Sequence, residues 1–135
     1  MRAESTSEFL AALLVYDCSV SLASCEGTSE LALGDLMRDT RALAGRIITA
    51  VSIETAGIAR AARAARSSAD RPIVAAVARK TATGERRLAL TGVAATPLLV
   101  EDVETLDPTS DFLGSSVYRR ALAGTLAARV LAAID

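Results

Sequence analysis

The stretch RPIVAAVARK, residues 71–80, decides the fold of this chain. Apolar and small residues run through it almost without a break, and its proline stands at the start, where a strand tolerates the missing amide. The turn TATGE, residues 81–85, separates it from RRLALTGVA, residues 86–94. Two such runs on either side of a short glycine-containing turn predict an antiparallel hairpin.

A helix is predicted to end the chain, from about Ser116 onward, after a turn over residues 107–111. Apolar residues recur in it at every fourth position and form one stripe, which is typical of a helix that packs on a sheet. The stripe consists of Tyr118, Leu122, Leu126, Val130 and Ile134. Ser115 or Ser116 is expected to cap the helix. Three arginines are expected at its solvated margin: Arg119, Arg120 and Arg129.

The first half of the chain is predicted to begin with a helix. The run FLAALLVY, residues 9–16, is apolar almost all round and should therefore be buried. Ser5 or Thr6 is expected to cap this helix, with Glu8 in its first turn beside the backbone amides.

Short strands are predicted after this helix. Apolar and small polar residues alternate on both sides of Glu26-Gly27, which predicts a hairpin near residues 19–24 and 30–33. A helical or looped connector over residues 34–45 leads to the β-branched run 47–53, a further predicted strand.

The segment IARAARAARSSAD, residues 58–70, is ambiguous on its own. Its arginines stand at every third position, which fits neither a helix nor a strand decisively. The alanines favour a helix by propensity alone.

Composition excludes several classes of function. Lys and Arg number 15 against 16 Asp and Glu, so the net charge of −1 disfavours nucleic acid and anionic membranes as partners. Histidine is absent, which removes the usual general base and the commonest zinc ligand. No apolar stretch approaches the ~20 residues of a membrane helix. We expect a cytoplasmic protein with two free, buried cysteines, Cys18 and Cys25.

Three stretches in order carry a family resemblance: SADRPIVAAVARK at 68–80, LALTGVAATP at 88–97 and SDFLGSSVYRRALAGTLAARVL at 110–131. Together they resemble the carboxy-terminal half of the FAD-binding (medium) subunit of molybdenum hydroxylases, as in carbon monoxide dehydrogenases and xanthine dehydrogenases. The Gly-Val-Ala-x-Thr-Pro turn and the Gly-Ser-x-x-Tyr-Arg-Arg helix start are the most specific pieces. Residues 7–24 and 46–54 resemble parts of the second flavin lobe.

The resemblance implies an α+β fold in two parts. Residues 1–56 would form a partial second flavin lobe, a helix plus short strands. Residues 57–135 would form a carboxy-terminal domain, a three-stranded antiparallel sheet packed by the terminal helix. Residues 58–66 then become the first strand of that sheet, against their alanine propensity, and Tyr118 anchors the turn before the helix.

The resemblance also implies candidate cofactor-binding residues. Glu8 matches a family aspartate near the flavin, and Ile48 matches an apolar position near the isoalloxazine ring. Arg63 matches a lysine near the polar edge of the ring, where a cation stabilises reduced flavin. The plain alternatives are a core residue for Ile48 and a solvated strand arginine for Arg63.

The resemblance implies an electron-transfer function that is shared with other chains. In such enzymes electrons pass from molybdopterin through 2Fe-2S clusters to FAD, and then to an acceptor. We expect a truncated or split portion that shares FAD with a separate amino-terminal lobe, because the glycine-rich first lobe is missing. An iron–sulfur subunit and a molybdopterin subunit would be its partners. The alternative is an interaction or vestigial module that keeps the fold and binds no flavin.

Overall fold

The computed structural model describes residues 4–135, so the first three residues of the predicted segment 1–56 lie outside it. The described chain forms three α-helices and seven strands in two antiparallel sheets. In chain order they are α1 (Glu8–Val15), β1 (Ser19–Ser24), β2 (Gly27–Ala32), α2 (Leu33–Arg38), β3 (Ile47–Ser52), β4 (Ile58–Ala64), β5 (Val74–Lys80), β6 (Arg86–Thr91), β7 (Leu98–Leu99) and α3 (Ser116–Ala132). Sheet A has the order β2-β1-β3, and sheet B has the order β4-β5-β6-β7.

This architecture confirms the predicted α+β class and the sheet packed by a terminal helix. The alanine-rich segment is strand β4, which pairs with β5 from Ile58 opposite Lys80 to Ala64 opposite Val74. Pairing along a whole neighbouring strand therefore outweighs the helix propensity of its alanines. The two-residue strand β7 adds a fourth strand to the three that were predicted.

The two central strands of sheet B, β5 and β6, are largely buried on both faces. In β5, Val74, Ala76 and Ala78 belong to the core that α3 completes. Val77 lies on the other face, in a core with Ala11 and other residues of α1. Successive side chains of a strand point to opposite faces, so the unbroken apolar run of β5 serves two cores at once.

Helix α1 is less buried than its sequence predicts. Ala11, Leu14 and Val15 are buried, but Phe9 is 71% exposed, so only one side of the helix packs on the protein. Its cap is also neither Ser5 nor Thr6, because the hydroxyl of Ser7 accepts from the amide of Leu10 at 3.3 Å.

Helix α3 begins as predicted, since the Ser115 hydroxyl accepts from the amide of Tyr118 at 3.2 Å. The last three residues of the predicted stripe, Leu126, Val130 and Ile134, are buried. Leu122 is partly buried against the same core. Tyr118 itself remains about half exposed. Its ring lies against Gly114, where an added Cβ would come 2.8 Å from Tyr118 Cδ1.

Sheet A is covered much less completely. The predicted hairpin forms, with its second strand at Gly27–Ala32, and the predicted strand 47–53 is β3. In β1, Val20 and Leu22 belong to the same hydrophobic core as residues of α1 and α2, whereas every residue of β3 is exposed. Sheet A therefore has a partly buried central strand and two largely exposed outer strands.

The two cysteines differ in environment. Cys18 is buried, and this burial raises the pKa of its thiol. Cys25 is exposed in the turn between β1 and β2, so the expectation that both thiols are buried is wrong for Cys25. Among the described helices, none combines the length and apolar character that crossing a membrane requires.

Candidate functional site

Two of the three predicted cofactor-binding residues meet in the structure. Glu8, at the start of α1, forms an ion pair with Arg63 of β4, with 3.1 Å between Arg63 Nη1 and Glu8 Oε2. Arg63 stands opposite Ala75 in the sheet register, on the same face as Val77, which is the face that α1 covers. The alternation of strand side chains therefore directs Arg63 towards the amino end of α1.

The Arg63 guanidinium has further partners in the loop after β4. Its Nη2 donates to the backbone carbonyl of Ser68 at 3.1 Å and to that of Asp70 at 2.6 Å. The side chains of Glu8 and Arg63 are each 37% exposed, so the pair is in contact with solvent. Arg63 is thus a positioned, partly solvated cation whose charge is balanced by Glu8.

The segment before α1 is tied to the same end of sheet B. Glu4 pairs with Arg71 at 2.9 Å, and the amide of Gly92 donates to the carbonyl of Ser5 at 2.8 Å. These contacts are not predictable from local sequence, because they join positions that lie far apart in the chain. They hold the start of α1, and with it Glu8, over the end of the sheet.

Ile48 lies apart from this pair. It stands on β3 of sheet A, opposite Leu22, and its side chain is 39% exposed. The structure therefore brings Glu8 and Arg63 together and places Ile48 on the other sheet. Its partial exposure leaves apolar surface for contact with another molecule.

Arg119 does not lie at the solvated margin of α3, and that prediction is wrong. Its side chain is buried, and Nη1 donates to the carbonyls of Ile73 at 2.8 Å and Gly92 at 2.7 Å. Its Nη2 lies 2.6 Å from both carboxylate oxygens of Asp111. Hydrogen bonding and the charge of Arg119 lower the pKa of Asp111, which also accepts from the amides of Leu113 and Gly114.

A signal for this burial is present in the sequence. The buried residues of α3 are Arg119, Ala123, Leu126, Ala127 and Val130. They follow spacings of three and four, so they form one helix face. Two of them are alanines, which stand out less than leucines in an apolar pattern, and the stripe was therefore centred too close to Tyr118.

A second arginine, Arg79 of β5, is buried beside the end of α1 and the segment that follows β3. Its Nη2 donates to the carbonyl of Ala56 at 2.6 Å and lies 3.3 Å from Glu54. Its guanidinium lies 4.8 Å from the centre of the Tyr16 ring, close to the end of α1. Arg79 therefore joins sheet B to the segment that follows β3.

One cleft of about 640 Å³ lies beside the end of sheet B, and the predicted residues do not line it. Its walls are Glu85, Arg86, Arg87, Leu88, Leu99, Val100, Glu101 and Leu131. Its two arginines are paired, Arg86 with Asp135 at 2.5 Å and Arg87 with Asp17 at 2.7 Å. Within residues 4–135, no cluster of His, Cys, Asp or Glu could hold a metal ion.

Solved structures share this fold. The chain is similar to quinoline 2-oxidoreductase from Pseudomonas putida 86, with a TM-score of 0.84 at 23% sequence identity. It is also similar to carbon monoxide dehydrogenase from Hydrogenophaga pseudoflava, in a form that lacks the Mo-pyranopterin moiety of the molybdenum cofactor, with a TM-score of 0.85 at 16% identity. For reconstituted CO dehydrogenase from Oligotropha carboxidovorans the TM-score is 0.81 at 20% identity.

These similarities cover 98% of this chain and 57% or 58% of the other chains, so the chain spans a little over half of their length. At such identities they show a common fold. Carbon monoxide dehydrogenases are among the enzymes that the sequence resemblance indicated. No protein-family model and no curated protein sequence matches the chain.

Proposed function

We propose that this chain is the carboxy-terminal portion of an FAD-binding subunit in an oxidoreductase of the molybdenum-hydroxylase type. The observation that carries the proposal is the shared fold, which extends over 98% of the chain. The pairing of Glu8 with Arg63 supports it, because two positions predicted from the resemblance meet at one place. An iron–sulfur subunit and a molybdopterin subunit would be the partners in the complex.

Two parts of the described chain, one on each sheet, offer the groups that the ring end of FAD would need. Arg63 offers a cation that its neighbours hold in place and that remains partly exposed. Ile48 offers exposed apolar surface of the kind that packs on a flat ring. FAD, when bound, would supply the electron exchange between iron–sulfur clusters and an acceptor.

The described residues do not fit the diphosphate of FAD. A diphosphate is usually held by the backbone amides of a glycine-rich turn at the start of a helix. The eight glycines of the chain are scattered, and no such turn occurs among them. The diphosphate would therefore be held by a separate lobe, and the chain would contribute only one wall of the site.

Each of the two paired residues would have a distinct task. Arg63 would stabilise the negative charge that reduction places on the flavin ring. Glu8 would orient the guanidinium and partly offset its positive charge, so Glu8 acts through Arg63. Both residues belong to sheet B and α1, where the surrounding backbone is well packed.

Flavin binding by the purified chain tests the proposal. The chain is mixed with FAD alone, and is also co-expressed with a polypeptide that carries a glycine-rich amino-terminal flavin lobe. We expect flavin absorbance to co-elute with the chain only when the lobe is present. Tight binding by the chain alone, or no flavin in the presence of the lobe, would contradict the proposal.

The role of Arg63 needs a second measurement. In the reconstituted complex, Arg63→Ala should lower the reduction potential of the flavin, because a nearby cation favours the reduced form. Arg60→Ala is the matched control, since Arg60 belongs to the same strand but pairs opposite Ala78, on the other face. Equal flavin reduction potentials in the Arg63→Ala and Arg60→Ala variants would show that Arg63 does not act on the flavin.

One observation favours the alternative of an interaction module that binds no flavin. The Arg63 guanidinium already satisfies one carboxylate and two carbonyls within the chain, so its contacts are explained without a ligand. A complex with the iron–sulfur and molybdopterin subunits that forms without flavin, even with the first lobe present, would support this alternative.

A further inference from the structure

Two arginines stand side by side at the end of sheet B that lies away from Arg63. Arg79 of β5 pairs opposite Arg87 of β6 in the sheet register. Both alternate with the strand residues Val77 and Ala89, so their side chains lie on the face that α1 covers. Like charges directly opposite each other on a sheet are destabilising, so each of these arginines needs partners of its own.

Sheet A joins the rest of the described chain through two connections, and Arg79 contacts both. Residues 16–18 lead from α1 into β1, and residues 53–57 lead from β3 into β4. At the first connection the guanidinium lies 4.8 Å from the centre of the Tyr16 ring. At the second, Nη2 donates to the carbonyl of Ala56 at 2.6 Å. One side chain of sheet B therefore holds the entry to sheet A and the exit from it.

Two further contacts fix the same connections. Nη1 of Arg87 lies 2.7 Å from the carboxylate of Asp17, in the first connection. In the second, Gly57 has a φ of 105°, and an added Cβ would come 2.2 Å from the carbonyl oxygen of Lys80. The backbone of the second connection therefore lies directly against the end of β5.

A buried arginine at position 79 is a poor source of stability. Its side chain is 1% exposed, and its Nε has no hydrogen-bond partner in the described chain. Burying such a cation costs free energy, and an apolar side chain of similar volume is often equally stabilising. A guanidinium differs in being a rigid, planar fork of donors, whereas apolar contacts are non-directional. Arg79 can therefore fix an orientation that the apolar core around α1 does not.

We propose that Arg79 is a positioning residue that holds sheet A in one orientation on sheet B. Ile48 lies on sheet A, whereas Arg63 belongs to sheet B and Glu8 to α1. A flat ring contacts both parts only if the two sheets keep a fixed relation to each other. This consequence for the site rests on the function proposed above, whereas the fixed orientation of the sheets does not.

Distances between spin labels on the two sheets, measured by pulsed electron–electron double resonance, test the orientation without flavin. One label is attached to the exposed Cys25, in the turn between β1 and β2, and the other to Arg60→Cys on β4, with buried Cys18 replaced by alanine. We expect a narrow distance distribution in this labelled chain. Arg79→Lys keeps the charge but not the fork of donors, so it should widen the distribution roughly twofold.

A second variant and a matched control separate positioning from stability. Arg79→Met does not depend on burying a charge, so it should fold and should widen the distribution as well. Arg119→Lys is the control, since Arg119 is equally buried but donates to carbonyls beside β5 and β6 and to Asp111. It should lower stability in urea without widening the distribution. Unchanged distributions in both Arg79 variants overturn the proposal, and so does equal widening in Arg119→Lys.

The consequence for the site has its own measurement in the complex reconstituted with FAD and the amino-terminal lobe. Arg79→Lys should weaken FAD binding roughly tenfold, because the two walls of the site are no longer held ready for the ring. A widened distance distribution with unchanged FAD affinity would show that the orientation of the sheets does not position the site. Failure of the unsubstituted complex to bind FAD contradicts the proposed function, whereas the spin-label distances alone decide whether Arg79 orients the sheets.

Discussion

The two sheets of this molecule are built from similar strands but are used differently. In sheet B, six of the seven residues of β5 are buried, because α1 covers one face and α3 the other. In sheet A, β1 has two fully buried side chains, Val20 and Leu22, while every residue of β3 is exposed. The described residues therefore cover both faces of the central strands of sheet B and leave the outer strand β3 of sheet A exposed.

Buried arginines strengthen this contrast. Arg119 joins α3 to both central strands of sheet B by donating to carbonyls at the start of β5 and the end of β6. Arg79 joins the same sheet to the segment after β3. Both buried arginines therefore contact sheet B, and changes there should have the largest effects.

The largest effect is expected from Arg119→Ala. The change removes the Arg119 donor from the carbonyls of Ile73 and Gly92. At about 1–3 kcal/mol for each unsatisfied buried acceptor, it should cost about 2–6 kcal/mol of the free energy of unfolding. Urea denaturation followed by circular dichroism measures this. Arg129→Ala, at an exposed position of the same helix, should change stability by less than about 0.5 kcal/mol. Similar losses of unfolding free energy in both variants would show that the buried contacts of Arg119 do not stabilise sheet B.

A glycine pair compares the two sheets directly. Gly92 follows β6 with a φ of 75°, and Gly45 precedes β3 with a φ of 67°. An added Cβ at Gly92 would lie 2.0 Å from the carbonyl oxygen of Ile73, whereas nothing lies within 4 Å at Gly45. Both alanine variants bear the cost of left-handed backbone, about 1–2 kcal/mol.

Gly92→Ala should therefore lose about 1–3 kcal/mol more than Gly45→Ala, through crowding at the start of β5. Thermal and urea unfolding of the two variants give this difference. Equal losses of stability would mean that the backbone at the end of sheet B accommodates an added methyl group as readily as the connector before β3.

The smallest effect is expected from pH. Arg119 lowers the pKa of Asp111 in the folded chain, so the stabilisation by this carboxylate is present above about pH 4, the usual range for aspartate. It is lost as pH falls through the lowered pKa. The stability difference between the wild type and Asp111→Asn should therefore be largest near neutral pH and should shrink in acid. A difference that is constant across a pH series of urea denaturations would contradict this.

Much of the fold could be predicted from particular stretches. The run of residues 71–80 and its partner after TATGE show strand character in their own composition, and they became β5 and β6. The start of α3 was also predictable, since the hydroxyl of Ser115 caps the helix. The strand β4 was not predictable from its residues alone, because its alanines favour a helix and only the neighbouring β5 makes it a strand.

The candidate site was predicted in part. The resemblance selected Glu8 and Arg63, and the structure joins them. Whether either residue binds a cofactor stays a prediction, as do the role of Ile48 and the division of the chain at residues 56 and 57. Arg119 and Arg79 were missed, because the burial of a charged side chain depends on carbonyls and rings that other elements bring to it.

The sequence by itself determined which segments are apolar, where the main turns lie and where the terminal helix begins, since these properties depend on residues close together in the chain. Only the tertiary structure decided that β5 serves two cores, that Glu8 meets Arg63, that two arginines are buried, and that β3 is exposed. Each of these features depends on another element that packs beside it in the folded chain. The local sequence does not specify which element that is.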